Sequence, residues 1–153
     1  MQFKVLVADP IAAEGVAFLE KHLQVDVRTG ISPEDLPAVV ASYDALVVRS
    51  ETKVTALVLE AGEKLQVVAR AGVGVDNIDV ETATKRGVLV VNAPLGNTVA
   101  AAEHAMALML ALARCVPQAD SSIRMGEWTR SRFMGVELNH KSLGIVGLGK
   151  VGL

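Results

Sequence analysis

The sequence predicts an α/β fold built on a parallel sheet, and three observations carry that prediction. Short β-branched runs alternate with longer stretches of helical spacing from the first residues onward, the pattern of parallel strands joined by crossover helices. Five such strands, with helices between them, fit within residues 1–97, enough for one compact layered domain. After residue 97 the pattern changes to long helix and irregular chain. An apolar run at 143–146 then leads into Gly147, Gly149 and Gly152, a G-x-G-x-x-G motif.

The first strand is expected over residues 3–8 and is broken by Asp9 and Pro10, since proline has no N–H to give to a sheet. Residues 11–22 carry Ile11, Val16 and Leu19 at helical spacing, with Leu23 just beyond. A second strand covers 25–28, followed by a turn at Thr29 and Gly30. Ser32, Pro33, Glu34 and Asp35 form a helix start in which serine caps, proline takes the first helical position and the acids suit the positive dipole end. That helix is expected to reach residue 42, with Pro37 still near the first turn.

The third strand is expected over 45–48 and ends in Arg49 and Ser50; a helix over 52–61 follows and stops at Gly62. The fourth strand, 65–69, runs into the glycine-rich stretch 70–77. Either Asn77 or Asp79 can cap the next helix, which reaches Lys85 and closes at Gly87. The fifth strand is 88–91, followed by a loop over 92–97. One long helix is expected over 98–115, capped by Asn97 or Thr98, with Arg114 near its negative end and Pro117 as a stop. A shorter helix over 117–125 ends at Gly126. Residues 127–139 read as an irregular arm with Trp128 and Phe133 as apolar anchors, and 143–146 as a last strand.

Composition narrows the function classes. With 51% apolar residues and a net charge of −2, the chain has ample material for a core and no electrostatic attraction for nucleic acid or an anionic membrane. A single cysteine, Cys115, excludes an internal disulfide and a thiolate metal cluster. No metal site is expected, and the reducing cytoplasm is the expected compartment. Residues 1–4 enter a strand directly, without the basic and long apolar regions of a secretory signal. Residues 99–113 are the most apolar helical stretch. They are interrupted by Glu103 and His104 and fall short of the ~20 residues that span a bilayer, so a buried helix is expected.

Parallel sheets bind ligands at the carboxyl ends of their strands. Arg49, Arg70 and the 92–97 loop all fall at such ends, on three successive strands, which suits bidentate recognition of a carboxylate or phosphate. The plainer alternative is that either arginine pairs with a nearby acid such as Glu51 or Asp76. Gly72 and Gly74 resemble the start of a second phosphate-binding turn, but Asn77 stands where a third glycine would be; the stretch reads either as backbone N–H groups brought to the rim or as an ordinary loop. Glu103 and His104 are neighbours on a helix, about 100° apart, and do not face one another as an acid–base pair. His22 and His140 lie in surface-like contexts, and Cys115 reads as a packing residue. In the G-x-G-x-x-G motif the first glycine permits a tight turn, the second lets a pyrophosphate approach the backbone and the third allows close packing. The preceding apolar run strengthens that reading toward dinucleotide binding.

Six blocks then resemble, in order and spacing, the D-2-hydroxyacid dehydrogenases: V-V-R-S-E-T-K-V-T at 47–55, L-Q-V-V-A-R-A-G-V-G-V-D-N-I-D at 65–79, G-V-L-V-V-N-A-P-L-G-N-T at 87–98, A-A-E-H at 101–104, R-F-M-G-V-E-L at 132–138 and G-I-V-G-L-G-K-V-G at 144–152. The resemblance implies a flavodoxin-like substrate-binding domain over 1–97 and, over 98–153, the start of a Rossmann domain that binds NAD. It implies a small anionic 2-hydroxy acid as substrate, with 3-phospho-D-glycerate favoured by the 49–55 and 132–135 stretches, and oxidation by NAD as the activity. By the same resemblance Arg49, Ser50, Arg70, Asn97, Thr98 and Arg130 are substrate-site positions, and Val73, Gly147, Gly149, Lys150, Val151 and Gly152 are cofactor positions. Valine at 73 keeps the packing of the threonine often found there and loses a hydroxyl contact. Region 98–140 resembles a dimer contact, so a homodimer or homotetramer is implied. None of His22, His104 and His140 sits in the family's catalytic motif, so no catalytic residue is assigned within these 153 residues. A non-catalytic flavodoxin-like binding or dimerisation module is the contrasting reading; a receiver domain would want an aspartate where Arg49 stands.

Overall fold

Five parallel strands form a single sheet. In the computed structural model, which describes residues 3–153, they are β1 (Lys4–Val7), β2 (Gln24–Val27), β3 (Ala45–Val48), β4 (Val67–Arg70) and β5 (Leu89–Asn92). Their order across the sheet is β2-β1-β3-β4-β5, the flavodoxin-like arrangement. Helices α1 (Ala13–Glu20), α2 (Leu36–Val40), α3 (Ala56–Ala61) and α4 (Val80–Lys85) form the connections.

The central strands β1, β3 and β4 are apolar along most of their length because side chains pack on both of their faces, whereas the edge strand β2 carries Gln24 and Asp26. On one face Leu6, Leu46, Val48 and Val68 pack with Leu36 and Val40 of α2, Val58 and Leu59 of α3 and Ala83 of α4. On the other, Val5, Val7 and Val47 pack with Ile11, Leu19 and Leu23 around α1. That second face is covered only in part: Leu89 and Val91 of β5 are 61% and 40% exposed. Tyr43 is buried, and its hydroxyl donates to Asp26 Oδ2 at 2.8 Å. Burial, followed by that bond, raises the phenol's pKa.

The chain divides between Gly96 and Asn97 into two compact units. The second holds α5 (Thr98–Ala113), α6 (Val116–Arg124) and a 3-10 turn, Arg130–Phe133. Cys115 separates the helices with a left-handed backbone, φ 53°. No residue of α5 is fully buried, against the expectation of a buried helix. No single helix among the described residues is long and apolar enough to cross a membrane; α5 and α6, bent by 66°, reach that length only together.

Several expected elements differ in extent, each for a local reason. The helix expected over 52–61 starts at Ala56, because Thr52 and Val54 are bonded elsewhere: Thr52 to Asp9, and Val54 in a bridge with Ile78. The helix expected from Ser32 starts at Leu36; Ser32 instead caps a turn, its Oγ accepting from the Asp35 N–H at 3.1 Å. Neither Asn97 nor Thr98 caps α5 through a side chain. Residues 143–146 form no strand, and Leu143, Ile145 and Val146 are 61%, 55% and 103% exposed. A strand exists through its ladder with a neighbour, and residues 97–153 contain no other strand for this run to pair with.

Candidate functional site

The strand order creates one special place in the sheet. From β1 the chain winds to β2 in one direction, while β3, β4 and β5 build in the other, so the carboxyl ends of β1 and β3 flank a crevice. Asp9 lies just beyond β1 and Arg49 just beyond β3. Asp9 is 2% exposed, and its Oδ2 accepts from the backbone N–H of Arg49 at 2.6 Å and of Thr52 at 3.1 Å. Its Oδ1 accepts from the Thr52 hydroxyl at 2.6 Å. Burying a carboxylate is costly unless its oxygens are bonded, and here three donors meet that need.

Arg49 is held from the opposite side as well. Its carbonyl accepts from Asn77 Nδ2 at 2.7 Å and from Arg70 Nε at 3.2 Å. Asn77 Nδ2 also donates to the Thr52 carbonyl at 2.6 Å, which leaves Asn77 Oδ1 buried without a partner. The Arg49 side chain is exposed and makes one long contact, Nη1 to the Pro10 carbonyl at 3.4 Å. No ion pair with Glu51 forms among the described residues; the guanidinium is available at the rim. Ser50, next along, is also exposed.

Arg70 ends β4, and its side chain is only 11% exposed. Besides Arg49 it donates from Nη1 to the Gly74 carbonyl, and its Nη2 lies 3.7 Å from Asp76 Oδ1, the pairing raised as the plainer alternative. The two preceding loop carbonyls are also engaged: Gly72 accepts from the Ala93 N–H at 2.9 Å and Val73 from Asn92 Nδ2 at 2.6 Å. With three successive oxygens engaged, the N–H groups of Val73, Gly74 and Val75 have no hydrogen-bond acceptor among the described residues. Such a backbone offers donors to an anion. An added Cβ at Gly74 would lie 2.8 Å from Asp76 Oδ1 and 3.1 Å from Arg70 Nη1, so a side chain there would make both Asp76 and Arg70 shift.

Asp79 closes this stretch by capping α4. Its Oδ1 accepts from the Thr82 N–H at 3.0 Å and its Oδ2 from the Thr82 hydroxyl at 2.8 Å. The bond from the Thr82 backbone, then that from its hydroxyl, lowers the carboxyl pKa. Of the two cap candidates read from the sequence, the fold uses Asp79, and Asn77 serves the Arg49 loop.

Of the expected substrate and cofactor positions, Arg49, Ser50, Arg70 and Val73 thus come together at one rim of the first unit. Asn97, Thr98, Arg130 and the glycine motif belong to the second. Asn97 precedes α5, Thr98 begins it, and Arg130 opens the 3-10 turn, exposed. In the motif, Gly147 has φ +99°, a left-handed conformation that favours glycine. A Cβ at Gly149 would meet nothing within 4 Å, while one at Gly152 would overlap the Gly147 carbonyl. The N–H groups of Gly152 and Leu153 both reach the Gly149 carbonyl, at 3.1 Å each. Lys150 and Val151 are exposed beside this turn. The three glycines therefore have the attributes a pyrophosphate turn needs: a reversed backbone, an open approach and a position with no room for a side chain. Here the close packing is against the loop's own backbone rather than a helix.

Asp9 and Thr52 are structural members of the rim that sequence reasoning missed, and Asn77, read there as a possible helix cap, is a third whose role was not foreseen. Asp9 reads in the sequence as a strand breaker, yet it follows the first strand as Arg49 follows the third, and that shared position was the available signal. Among the described residues no group of three His, Cys, Asp or Glu side chains converges on a metal-sized space.

Comparison with known proteins agrees with this fold. The family model for the D-isomer specific 2-hydroxyacid dehydrogenase catalytic domain matches residues 5–142. A D-3-phosphoglycerate dehydrogenase of Archaeoglobus fulgidus is 56% identical over 150 residues, covering 97% of this chain and 28% of its own length. The chain thus spans little more than a quarter of that relative. Among solved structures, a Thermus thermophilus protein superposes with a TM-score of 0.89 at 33% identity, covering 97% of this chain and 50% of its own. The NAD+-bound 3-phosphoglycerate dehydrogenase of Entamoeba histolytica superposes at 0.77 with 30% identity, covering 99% of this chain and 48% of its own. The parallel sheet, its strand order and these matches together make the chain a member of the D-isomer specific 2-hydroxyacid dehydrogenase family.

Proposed function

We propose that the full-length protein carrying this chain is an NAD-dependent D-3-phosphoglycerate dehydrogenase. It oxidises 3-phospho-D-glycerate to 3-phosphohydroxypyruvate, the first step of phosphorylated L-serine biosynthesis, in the cytoplasm. The observation that carries this reading is the 56% identity with a D-3-phosphoglycerate dehydrogenase across 97% of the chain. On this reading residues 1–97 are the substrate-binding domain and 98–153 the start of the cofactor domain.

The rim supports a division of labour. The exposed Arg49 guanidinium and Ser50 bind a carboxylate or phosphate of the substrate, while the N–H groups of 73–75 supply further donors at the end of β4. Arg70 acts on the substrate with whatever donor capacity its loop contacts leave, and holds that loop in place. Asn97, Thr98 and Arg130 complete the substrate contacts. Gly147, Gly149, Lys150, Val151 and Gly152 receive the cofactor pyrophosphate, with Val73 beside the cofactor. Bound NAD would supply the hydride acceptor that oxidation at the hydroxyl-bearing carbon needs. No residue of this chain is assigned the general acid–base role, and these 153 residues alone are expected to turn nothing over. The exposed apolar side chains of α5, among them Val99, Leu108 and Leu112, support self-association through 98–140 as a homodimer or homotetramer.

The test is an assay of the full-length protein with NAD against 3-phospho-D-glycerate, glyoxylate-derived hydroxy acids and D-lactate. Preference for 3-phospho-D-glycerate is expected, and Arg49→Ala should weaken its binding by about 1.5–3 kcal/mol, the scale of a charge-assisted hydrogen bond. NAD reduction with another hydroxy acid alone reassigns the substrate within the family, and an unchanged KM and kcat in the variant removes Arg49 from the site.

A further inference from the structure

We propose that Asp9 and Asn77 are positioning residues that grip the 49–52 loop from two sides and hold Arg49 and Ser50 ready for the substrate anion. The proposal rests on the reading of Arg49 as a substrate-binding residue. In the sheet, β1 and β4 flank β3. Asp9 follows the first of these and Asn77 lies in the segment after the second, so the loop leaving β3 is reached from both neighbours.

Their side chains are committed to that loop. Every hydrogen bond of the Asp9 carboxylate goes to Arg49 or Thr52, and both bonds of the Asn77 amide nitrogen go to the carbonyls of those same two residues. The bonds are short, 2.6–2.7 Å for four of the five. Asn77 keeps this arrangement although its Oδ1 is left buried and unpartnered, an unfavourable position for a polar atom. The loop itself is neither helix nor strand, and its conformation is therefore imposed by these two side chains, together with Arg70 Nε on the Arg49 carbonyl. A loop fixed in advance does not have to be ordered when the substrate arrives, and that saving appears as affinity. Asp9 is buried behind the loop, so its effect on substrate passes through Arg49 and Ser50.

Steady-state kinetics of the full-length protein with 3-phospho-D-glycerate and NAD tests this. Asp9→Ala and Asn77→Ala should each raise the KM for the hydroxy acid roughly tenfold while the KM for NAD stays within about twofold. Asp9→Asn should recover most of the loss, since its carbonyl oxygen can still accept the two backbone N–H groups and its amide can donate to the Thr52 hydroxyl. A residue that merely supports the fold would lower the melting temperature and leave the KM of the surviving enzyme unchanged; that result overturns the proposal. If Arg49→Ala raises the KM and neither alanine variant does, the positioning role alone fails. If Arg49→Ala leaves the KM unchanged, the site reading fails and the positioning role with it. Should Asp9→Ala not fold, Thr52→Val, which deletes only the hydroxyl bond, replaces it: a KM raised about threefold supports the grip, and an unchanged KM refutes it.

Discussion

The two glycine loops of this chain, 72–77 and 147–152, are similar in composition and differ in how their backbones are held. The first is the poorer motif, with Asn77 in place of a third glycine, yet side chains and backbone from two strand ends hold it: Arg70 takes the Gly74 carbonyl, Asn92 that of Val73 and Ala93 that of Gly72. The second has the complete motif, and the hydrogen bonds at its end close within it, from Gly152 and Leu153 to Gly149. Residues 141–151 around it are exposed throughout. A glycine pattern states which backbone shapes a loop can take; the neighbouring strand ends decide whether one shape is held. The 72–77 loop leaves a paired strand, whereas the run before 147 is in no strand and its own unit contains none.

That contrast can be tested because each unit carries its own spectroscopic probe. Tyr43 is the chain's one tyrosine and is buried in the sheet unit; Trp128 is its one tryptophan and lies in the other. The largest expected effect is from Arg70→Ala, which removes two charge-assisted bonds from a mostly buried side chain and should cost the sheet unit about 3 kcal/mol. Urea unfolding of the 153-residue chain should move the Tyr43 transition and leave that of Trp128 in place. If Tyr43 does not move, the loop does not depend on its arginine.

Next in size is a matched pair. Gly74→Ala pushes a methyl group against Asp76 and Arg70 and should cost about 1–2 kcal/mol by the same measurement. Gly149→Ala meets open space and should change stability by no more than about 0.5 kcal/mol. In the full-length protein, however, it should weaken NAD binding, because the added methyl group occupies the approach to the backbone. Equal stability costs for the two would erase the distinction between a held loop and an open one.

The sequence made the sheet legible because short β-branched runs alternate with helical spacing, most plainly in the central strands that are packed on both faces, and all five strands fall within two residues of their expected limits. Arg49 and Arg70 were legible as rim residues for the same reason, since each directly follows a strand core. What could not be read was which polar groups the rim uses on itself. Asp9 bonds residues some forty positions away, and Asn77 residues about twenty-five away; such distances leave no periodicity in the chain. Arg70 was legible as a cation and as a neighbour of Asp76 but not as a brace, because its hydrogen bonds go to backbone carbonyls, which every residue has. The strand expected at 143–146 misled for the converse reason: its side chains fit a strand, and pairing is a property of a neighbour.

The smallest expected effect comes from acid. Asp79 anchors the far end of the 72–77 loop by capping α4, and the bonds it receives from the Thr82 N–H and hydroxyl favour its ionised form. Because its pKa is lowered in the folded state, the unfolded chain takes up the proton first. The cap's contribution is therefore present above the ordinary aspartate value, about 3.9, and is lost as pH falls through the lower folded value. Asp79→Asn keeps a capping oxygen without the charge. Wild type should exceed this variant in the Tyr43 transition at about pH 6, and the gap should close as the pH drops below about 4. The Trp128 transition should show no gap between the two proteins at any pH. A Tyr43 gap that stays constant through the acid range would mean that the carboxylate's charge plays no part in holding the loop, and that Asp79 anchors it by geometry alone.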